Sequence, residues 1–168
     1  MRRRLSLLLV GLIALLAVCS ACGDRQGETA QTVDMAALQQ ALLSADPTLP
    51  EMLSITGAVS DGERLFAYVS DLSYGKVEDF LLSYSSEGKA DEFAVIAVKD
   101  PADVQAAAES LRAHLEQRLT LFRQYTPDEA KRAEKALVFT QDQYAVLLIS
   151  DGNQAVKNAF EEFLAQAA

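Results

Sequence analysis

The sequence predicts an α+β fold in which helices pack on a mainly antiparallel four-stranded sheet, after an N-terminal signal peptide. Phe80, Leu82 and Tyr84 recur with the period of two that is typical of a half-buried strand. Residues 93–98, FAVIAV, are apolar throughout and predict a buried strand. The order strand, strand, helix then occurs twice, over residues 80–122 and 136–164, which predicts two such units in a domain of two or three layers.

The first 21 residues have the parts of an export signal. Arg2, Arg3 and Arg4 are followed by 14 residues, 5–18, that are apolar apart from one serine and one glycine. A membrane-spanning helix needs about 20 apolar residues, so this run has the length of a signal-peptide core instead. Small residues follow at 19–21. We therefore expect residues 1–21 to be a lipoprotein signal peptide that is removed on export.

Cys22 is the predicted lipidation site. Ser20-Ala21-Cys22-Gly23 resembles a bacterial lipobox, in which the cysteine thiol receives a diacylglyceryl group and the protease cuts just before it. Cys19 departs from the pattern, because that position usually holds leucine. Two acyl chains on one cysteine give stable membrane attachment. The sequence therefore predicts a protein anchored by its N-terminal lipid to the outer face of the cell membrane, and secretion after ordinary cleavage is the alternative.

The two cysteines could instead form a metal site or a disulfide. A closed zinc shell needs four ligands, and a Cys-x-x-Cys pair with one histidine in the chain, His114, does not supply them. A disulfide between Cys19 and Cys22 would be lost if cleavage falls between them. Neither alternative explains the cysteines as well as lipidation does.

Residues 22–33 are predicted to be a flexible tether, because Gly23–Thr32 is polar and contains no apolar residue larger than alanine. Residues 34–168 are then long enough for a single domain with its own core. Without the signal, the chain has 12 Lys and Arg against 24 Asp and Glu, a net charge of −12. This charge is repelled by nucleic-acid phosphates, so nucleic acid is excluded as a partner.

The N-terminal part of the domain is predicted to hold two helices and no strand. Asp34 is placed as an N-cap, and apolar residues at helical spacing predict a helix that ends near Ser44. Residues 47–61 are expected to be irregular, and residues 63–71 to form a short helix. These segments are expected to cover the second face of the sheet, since the strands at 93–98 and 144–149 are apolar on both faces. A partner protein or an apolar ligand is the alternative cover.

The remaining helices and strands follow from turn and cap signals. Asp100-Pro101 predicts the start of a long helix, and Thr126-Pro127 the start of a second helix that ends near residue 135. Residues 136–140 and 144–149 predict a second hairpin, and the last helix is expected from Asn153. FAVIAVKD at 93–100 and YAVLLISD at 144–151 share three identical positions of eight, which suggests an internal repeat, although buried strands that end at a helix start also look alike.

No group of residues predicts a catalytic site, a cofactor site or a metal site. His114, on the long helix, is the only histidine that could serve a serine as a base, and we expect it to be structural. Glycine loops that bind phosphate are absent. The tyrosines and phenylalanines are expected to pack in the core. The adjacent carboxylates are expected not to converge and to lie at solvated edges or turns; they are Glu78-Asp79, Asp91-Glu92 and Asp128-Glu129.

Four segments together resemble an uncharacterised lipoprotein family of Gram-positive bacteria that is known as a domain of unknown function. They are CSACGD, ADEFAVIAVKD, AAESLRAHLEQRLTLFRQYTPDEA and DQYAVLLISDGNQAVKNAFEEFL. The resemblance covers residues 34–166. It implies a cell-surface lipoprotein and supplies no activity and no site residues.

We therefore expect an extracytoplasmic lipoprotein that is not an enzyme and that acts as a protein-interaction or cell-envelope accessory module. The partner would be an unidentified envelope protein. The alternative is a small-ligand-binding lipoprotein that serves a transporter, for which the domain is small. A carboxylate-dependent hydrolase is the second alternative, and two non-adjacent carboxyl groups in one cleft would favour it.

Overall fold

The computed structural model describes residues 33–167, so the predicted signal peptide, Cys22 and the tether as far as Thr32 lie outside the described residues. The strands of this part are β1 (Met52–Thr56), β2 (Val77–Ser85), β3 (Glu92–Val98), β4 (Leu137–Gln141) and β5 (Tyr144–Ile149). Its α-helices are α1 (Met35–Ala45), α2 (Gly62–Phe66), α3 (Val104–Tyr125), α4 (Pro127–Ala133) and α5 (Asn153–Ala167). Single 3-10 turns occur at Tyr74–Lys76 and Pro101–Asp103.

The sheet has five antiparallel strands in the order β1-β2-β3-β5-β4, one more strand than the sequence predicts. The additional strand is β1, which lies in the segment that we expected to be irregular. β1 is a short edge strand of MLSIT with no fully buried residue, so its apolar pattern is weak. Its pairing with β2 is reinforced by the Ser54 and Ser83 hydroxyls, whose oxygens are 2.7 Å apart. The predicted α+β class is confirmed.

Helices cover both faces of the sheet, which makes three layers. On the first side, which we call the α1/α5 face, Phe93, Val95 and Val146 pack against both terminal helices. On the other side, the α3 face, Ile96 and Leu147 pack against α3 and the segment that holds α2. The expectation that the N-terminal helix and residues 47–72 together cover the second face holds for α1 only. Residues 66–69 pack on the opposite face beside α3, and residues 52–56 join the sheet as β1.

The two strand–strand–helix units are not related as a simple repeat. Their second strands, β3 and β5, lie side by side at the centre of the sheet, with Val95 opposite Val146. The helix that follows β3 packs on the α3 face, whereas the helix that follows β5 packs on the α1/α5 face. A rotation that superposed the two hairpins would place both helices on one face. The similarity of the two strands therefore reflects burial on both faces and not a duplicated unit.

Side chains cap the helices where the sequence predicts it. The Asp34 carboxylate accepts hydrogen bonds from the N–H groups of Ala36 and Ala37 at the start of α1. The Asp100 carboxylate accepts from Ala102 N–H before α3. Val33, the last residue of the predicted tether, is already buried, and its N–H donates to the Tyr144 hydroxyl at 3.2 Å. The chain therefore joins the domain on the α1/α5 face.

A buried carboxylate, Asp46, links the end of α1 to the turn between β5 and α5. It accepts hydrogen bonds from Thr48 N–H at 2.9 Å, from the Thr48 hydroxyl at 2.6 Å and from Gly152 N–H at 2.9 Å. Burial on its own would raise the pKa of Asp46, but these hydrogen bonds outweigh it and hold the pKa below its usual value. The folded domain therefore favours the ionised carboxylate.

This lowered pKa predicts a pH-dependent stability difference between the wild type and Asp46→Asn. The unfolded carboxyl group titrates near pH 3.9, so the contribution of Asp46 is fully present above that pH and is lost as pH falls through the lower folded value. We expect Asp46→Asn to lower the free energy of unfolding by about 2 kcal/mol at pH 6. The difference should shrink below about pH 4. Urea unfolding followed by circular dichroism measures it, and a constant difference down to pH 3 would contradict the assignment.

Candidate functional site

Two adjacent carboxylates, Asp91 and Glu92, lie at the start of β3 and point in different directions. Each residue is only 2% exposed. Their divergence agrees with the prediction, but the expected solvated position is wrong, because each carboxylate is buried against an arginine from a different helix. A buried charge is tolerated when it is paired and hydrogen-bonded. The two carboxylates therefore do not form the paired acid–base arrangement of a hydrolase.

Glu92 is held by two side chains of α3 that are one helical turn apart. Its Oε1 lies 2.6 Å from His114 Nε2, and its Oε2 lies 3.0 Å from Arg118 Nη1. Residues four apart lie on the same side of a helix, which is why both reach the same carboxylate. The Arg118 guanidinium also lies over the Phe122 ring, with 4.9 Å between its Cζ and the ring centroid. Glu92 therefore fixes the orientation of the His114 ring.

Asp91 is paired with Arg132 of α4. An Asp91 oxygen lies 2.6 Å from Arg132 Nη1, and the same guanidinium is 3.2 Å from an Asp151 oxygen at the end of β5. Burial raises the pKa of Asp91 above its usual value, and the charge of Arg132 opposes this rise without cancelling it. Glu129, also on α4, accepts a hydrogen bond from Ala90 N–H at 2.7 Å. These ion pairs and the hydrogen bond hold α4 against the sheet at the start of β3.

A small polar pocket lies between α3 and the chain segment that follows α2. It is lined by the loop of residues 67–71 and by Ser110, Ala113, His114 and Gln117 of α3, and its volume is about 110 Å³. Pockets that bind drug-sized ligands hold roughly 300–1,000 Å³. The pocket therefore has room for the end of one side chain or for a few water molecules. We refer to it as the His114 pocket.

The two serines in the His114 pocket form a closed hydrogen-bonded pair. The Ser110 Oγ lies 2.9 Å from Ala107 O and 2.6 Å from the Ser70 Oγ, and either serine can donate to the other. The Ser70 oxygen also accepts from Leu72 N–H at 3.1 Å. The two hydroxyls therefore bond to each other and to the backbone, and neither is hydrogen-bonded to a histidine or a carboxylate. A serine nucleophile needs its proton directed at a base, and neither serine has that geometry.

Large apolar side chains are exposed beside the His114 pocket. Tyr68, on its rim, is 68% exposed, and Leu121 and Tyr125 of α3 are 57% and 71% exposed. Gln117, Leu121 and Tyr125 are four residues apart in succession, so they form one stripe that runs about 12 Å along α3 from the pocket. We call Tyr68, the His114 pocket and this stripe the α3 surface.

Sequence reasoning does not predict the α3 surface. The expectation that the aromatic residues pack in the core is correct for Tyr74 and Tyr144 but wrong for Tyr68 and Tyr125. Leu121 and Tyr125 are four residues apart and lie outside the apolar positions of α3 that pack on the sheet, such as Leu111 and Leu119. This spacing is the sequence signal that could identify an exposed apolar stripe. Cys22, the predicted lipidation site, lies outside the described residues.

Residues 33–167 hold neither a metal-binding cluster nor a membrane-spanning helix. Within this part of the chain, no three His, Cys, Asp or Glu side chains are grouped so that they could hold a metal ion. None of the helices between Val33 and Ala167 has the length and apolar character needed to cross a membrane.

Comparison with known proteins gives one match. The sequence profile of a domain of unknown function, DUF4358, matches residues 53–150, from β1 to the residue after β5. This range includes Asp91, Glu92 and the whole α3 surface. The predicted resemblance to a domain of unknown function is confirmed. No curated protein and no solved structure matches the chain.

Proposed function

The chain belongs to the DUF4358 family, and we propose that its domain is a non-enzymatic module that binds a protein of the cell envelope through the α3 surface. A lipid on Cys22 would hold it at the outer face of the cell membrane, in the envelope of a Gram-positive bacterium. The residues before the domain support this location, because a basic start, an apolar run and a lipobox-like end occur in the order of a lipoprotein signal.

The observation that carries the proposal is the exposure of Tyr68, Leu121 and Tyr125 next to a pocket that fits one side chain. Tyrosine is enriched at the energetic centres of protein interfaces, where aromatic anchors sit beside small pockets. The helix that carries two of these residues is fixed on the sheet by Leu111 and by the buried pairs of Glu92. The α3 part of this surface is therefore held in place before a partner binds, which lowers the entropic cost of binding.

Val33, the first residue that the structure describes, packs on the α1/α5 face, and the α3 surface lies on the other side of the sheet. Residues 22–32 span at most about 40 Å when extended. A partner would therefore have to reside in the membrane or within a short distance of it.

The two alternative functions receive less support. The His114 pocket is too small for the ligands that transporter-linked binding proteins carry. A carboxylate-dependent hydrolase needs two carboxyl groups that share one cleft, and Asp91 and Glu92 are instead turned apart and neutralised by Arg132 and Arg118.

The anchor is tested by the intact mass of the protein extracted from membranes. We expect the wild-type mass to equal residues 22–168 with a diacylglyceryl group, and we expect Cys22→Ala to lose the lipid and leave the membrane fraction. Cys19→Ala is the matched control and should keep the lipid. Recovery of an unmodified wild-type chain from the medium would contradict the anchor and indicate secretion.

The interaction surface is tested by a photo-crosslinking residue placed at Leu121 or Tyr68 in intact cells. We expect both positions to form an adduct with the same envelope protein, which mass spectrometry would identify. Gln166, exposed on α5 on the other face, is the matched position and should not form it. Tyr125→Ala should lower the adduct yield about tenfold, as loss of an aromatic anchor does, whereas Val59→Ala should not. Equal labelling from Gln166, or none from Leu121 and Tyr68, would reject the proposal.

A further inference from the structure

We propose that the His114 pocket binds a guanidinium group, the end of an arginine side chain. The proposal deepens the function proposed above, because it names the chemistry that the partner would present to the α3 surface. It rests on the polar groups that line the pocket, which are mainly hydrogen-bond acceptors.

The two serines supply lone pairs to the pocket. When the Ser110 hydroxyl donates to Ala107 O, the Ser70 hydroxyl donates to Ser110, and neither proton points into the pocket. Each hydroxyl oxygen can accept two hydrogen bonds and receives one in this arrangement. Both residues are only 7% exposed, so a donor that reached their free lone pairs would be largely out of water.

The loop that forms the other wall supplies backbone acceptors. Among the hydrogen bonds of residues 33–167, none ends on the carbonyl oxygens of Ala67–Asp71, although the N–H groups of 67–70 donate back to residues 63–66. These carbonyl oxygens are therefore available to a donor from outside the domain.

The Glu92 carboxylate fixes the His114 ring at the wall of the pocket. The carboxylate lies 2.6 Å from Nε2 and can only accept, so Nε2 carries a proton and Nδ1 is the ring nitrogen that Glu92 does not engage. The Arg118 guanidinium, one helical turn beyond His114 on α3, is paired with the same carboxylate, 3.0 Å from Nη1. This pairing offsets the nearby positive charge.

Asp71 supplies the negative charge of the pocket. Its side chain lies on the rim and is exposed. A guanidinium carries five N–H donors in a planar fork and pairs with a carboxylate more specifically than an ammonium does. It also stacks on aromatic rings, and Tyr68 lies on the same rim. A volume of about 110 Å³ suits this head group and excludes a larger ligand.

The experiment uses methylguanidinium as the probe and amide NMR of the full chain in detergent at pH 7.5. N-methylurea, which has nearly the same shape without the charge, is the matched probe, and methyl phosphate is the anionic one. We expect saturable shifts of the amides of residues 69–71 and 113–117 with methylguanidinium. N-methylurea should bind about tenfold more weakly, and methyl phosphate should not bind.

Variants separate a specific site from a general charge effect. Asp71→Asn should weaken methylguanidinium binding about fivefold. Asp128→Asn removes the same charge from an exposed side chain on α4 and should leave the affinity unchanged. Equal binding of the two matched probes, equal affinity in Asp71→Asn, or the absence of saturable shifts would each overturn the inference. If Leu121 forms its specific adduct while methylguanidinium does not bind, the proposed function stands and only this inference falls.

Discussion

Glu92→Ala is expected to lower the free energy of unfolding by about 4 kcal/mol. Its removal leaves the Arg118 guanidinium without its counter-charge and the His114 Nε2 without its hydrogen-bond acceptor; their side chains are only 24% and 14% exposed. Breaking one member of a buried charge pair is costly because the remaining charge has neither its partner nor water. The alanine would also leave a small cavity at the start of a central strand.

Chemical denaturation measures this change, and two matched variants show where it originates. Glu87→Ala removes an ion pair in the turn before β3, where both side chains are about half exposed, and should cost less than 0.5 kcal/mol. Glu92→Gln keeps the shape of the side chain and one acceptor oxygen. Its loss in free energy of unfolding should lie between those of Glu92→Ala and Glu87→Ala. If Glu92→Ala were as stable as Glu87→Ala, the contacts of Glu92 with His114 and Arg118 would make no net contribution to the stability.

Gly152→Ala is expected to lower the free energy of unfolding by about 3 kcal/mol. A Cβ on Gly152 would lie 2.6 Å from Asp46 Oδ2 and 2.7 Å from Asp46 Cγ, closer than real contacts allow. The carboxylate cannot move away freely, because Thr48 holds it with two hydrogen bonds. Relief of the overlap would therefore sacrifice the Gly152 N–H bond to a buried charge.

A double-mutant cycle tests this explanation. In an Asp46→Ala background, the contacts with Oδ2 and Cγ are removed and only the one with the Cβ of residue 46, at 3.1 Å, remains. Gly152→Ala should then cost less than about 1 kcal/mol. Gly75→Ala is the control for the general effect of an added methyl group, because the nearest atom to its Cβ would be 3.8 Å away; it should change the stability by less than 0.5 kcal/mol. An undiminished cost of Gly152→Ala without Asp46 would contradict the proposed clash.

Buried strands and capped helix starts are predicted well from the sequence. β3, β5 and the capped starts of α1 and α3 lie where the pattern places them, because burial on both faces and local capping leave a direct mark on the sequence. β1 leaves no such mark, since it is short and its hydrogen bonds come from β2, some 30 residues later. Sequence periodicity cannot show a strand whose stability is supplied by a distant neighbour.

The site was not predictable for a related reason. Asp91 and Glu92 look like solvated turn residues, and only the fold brings Arg132 and Arg118 to them from two helices. The pairing of Ser70 with Ser110 likewise joins residues 40 positions apart. An exposed tyrosine cannot be distinguished from a core tyrosine in a sequence, because the ring is tolerated in both positions. Whether Tyr125 is covered depends on which face of α3 packs on the sheet.

The packing of α1 against α5 has a consequence for biogenesis. The apolar side of the first helix, with Leu38 and Leu42, shares its core with Phe160 and Leu164 at the other end of the chain. A ribosome delivers the first helix long before the last, so that side of α1 has no helical neighbour until the final residues emerge. The domain cannot complete its fold as a nascent fragment. The apolar side of α1 gains its helical neighbour only when α5 has been made.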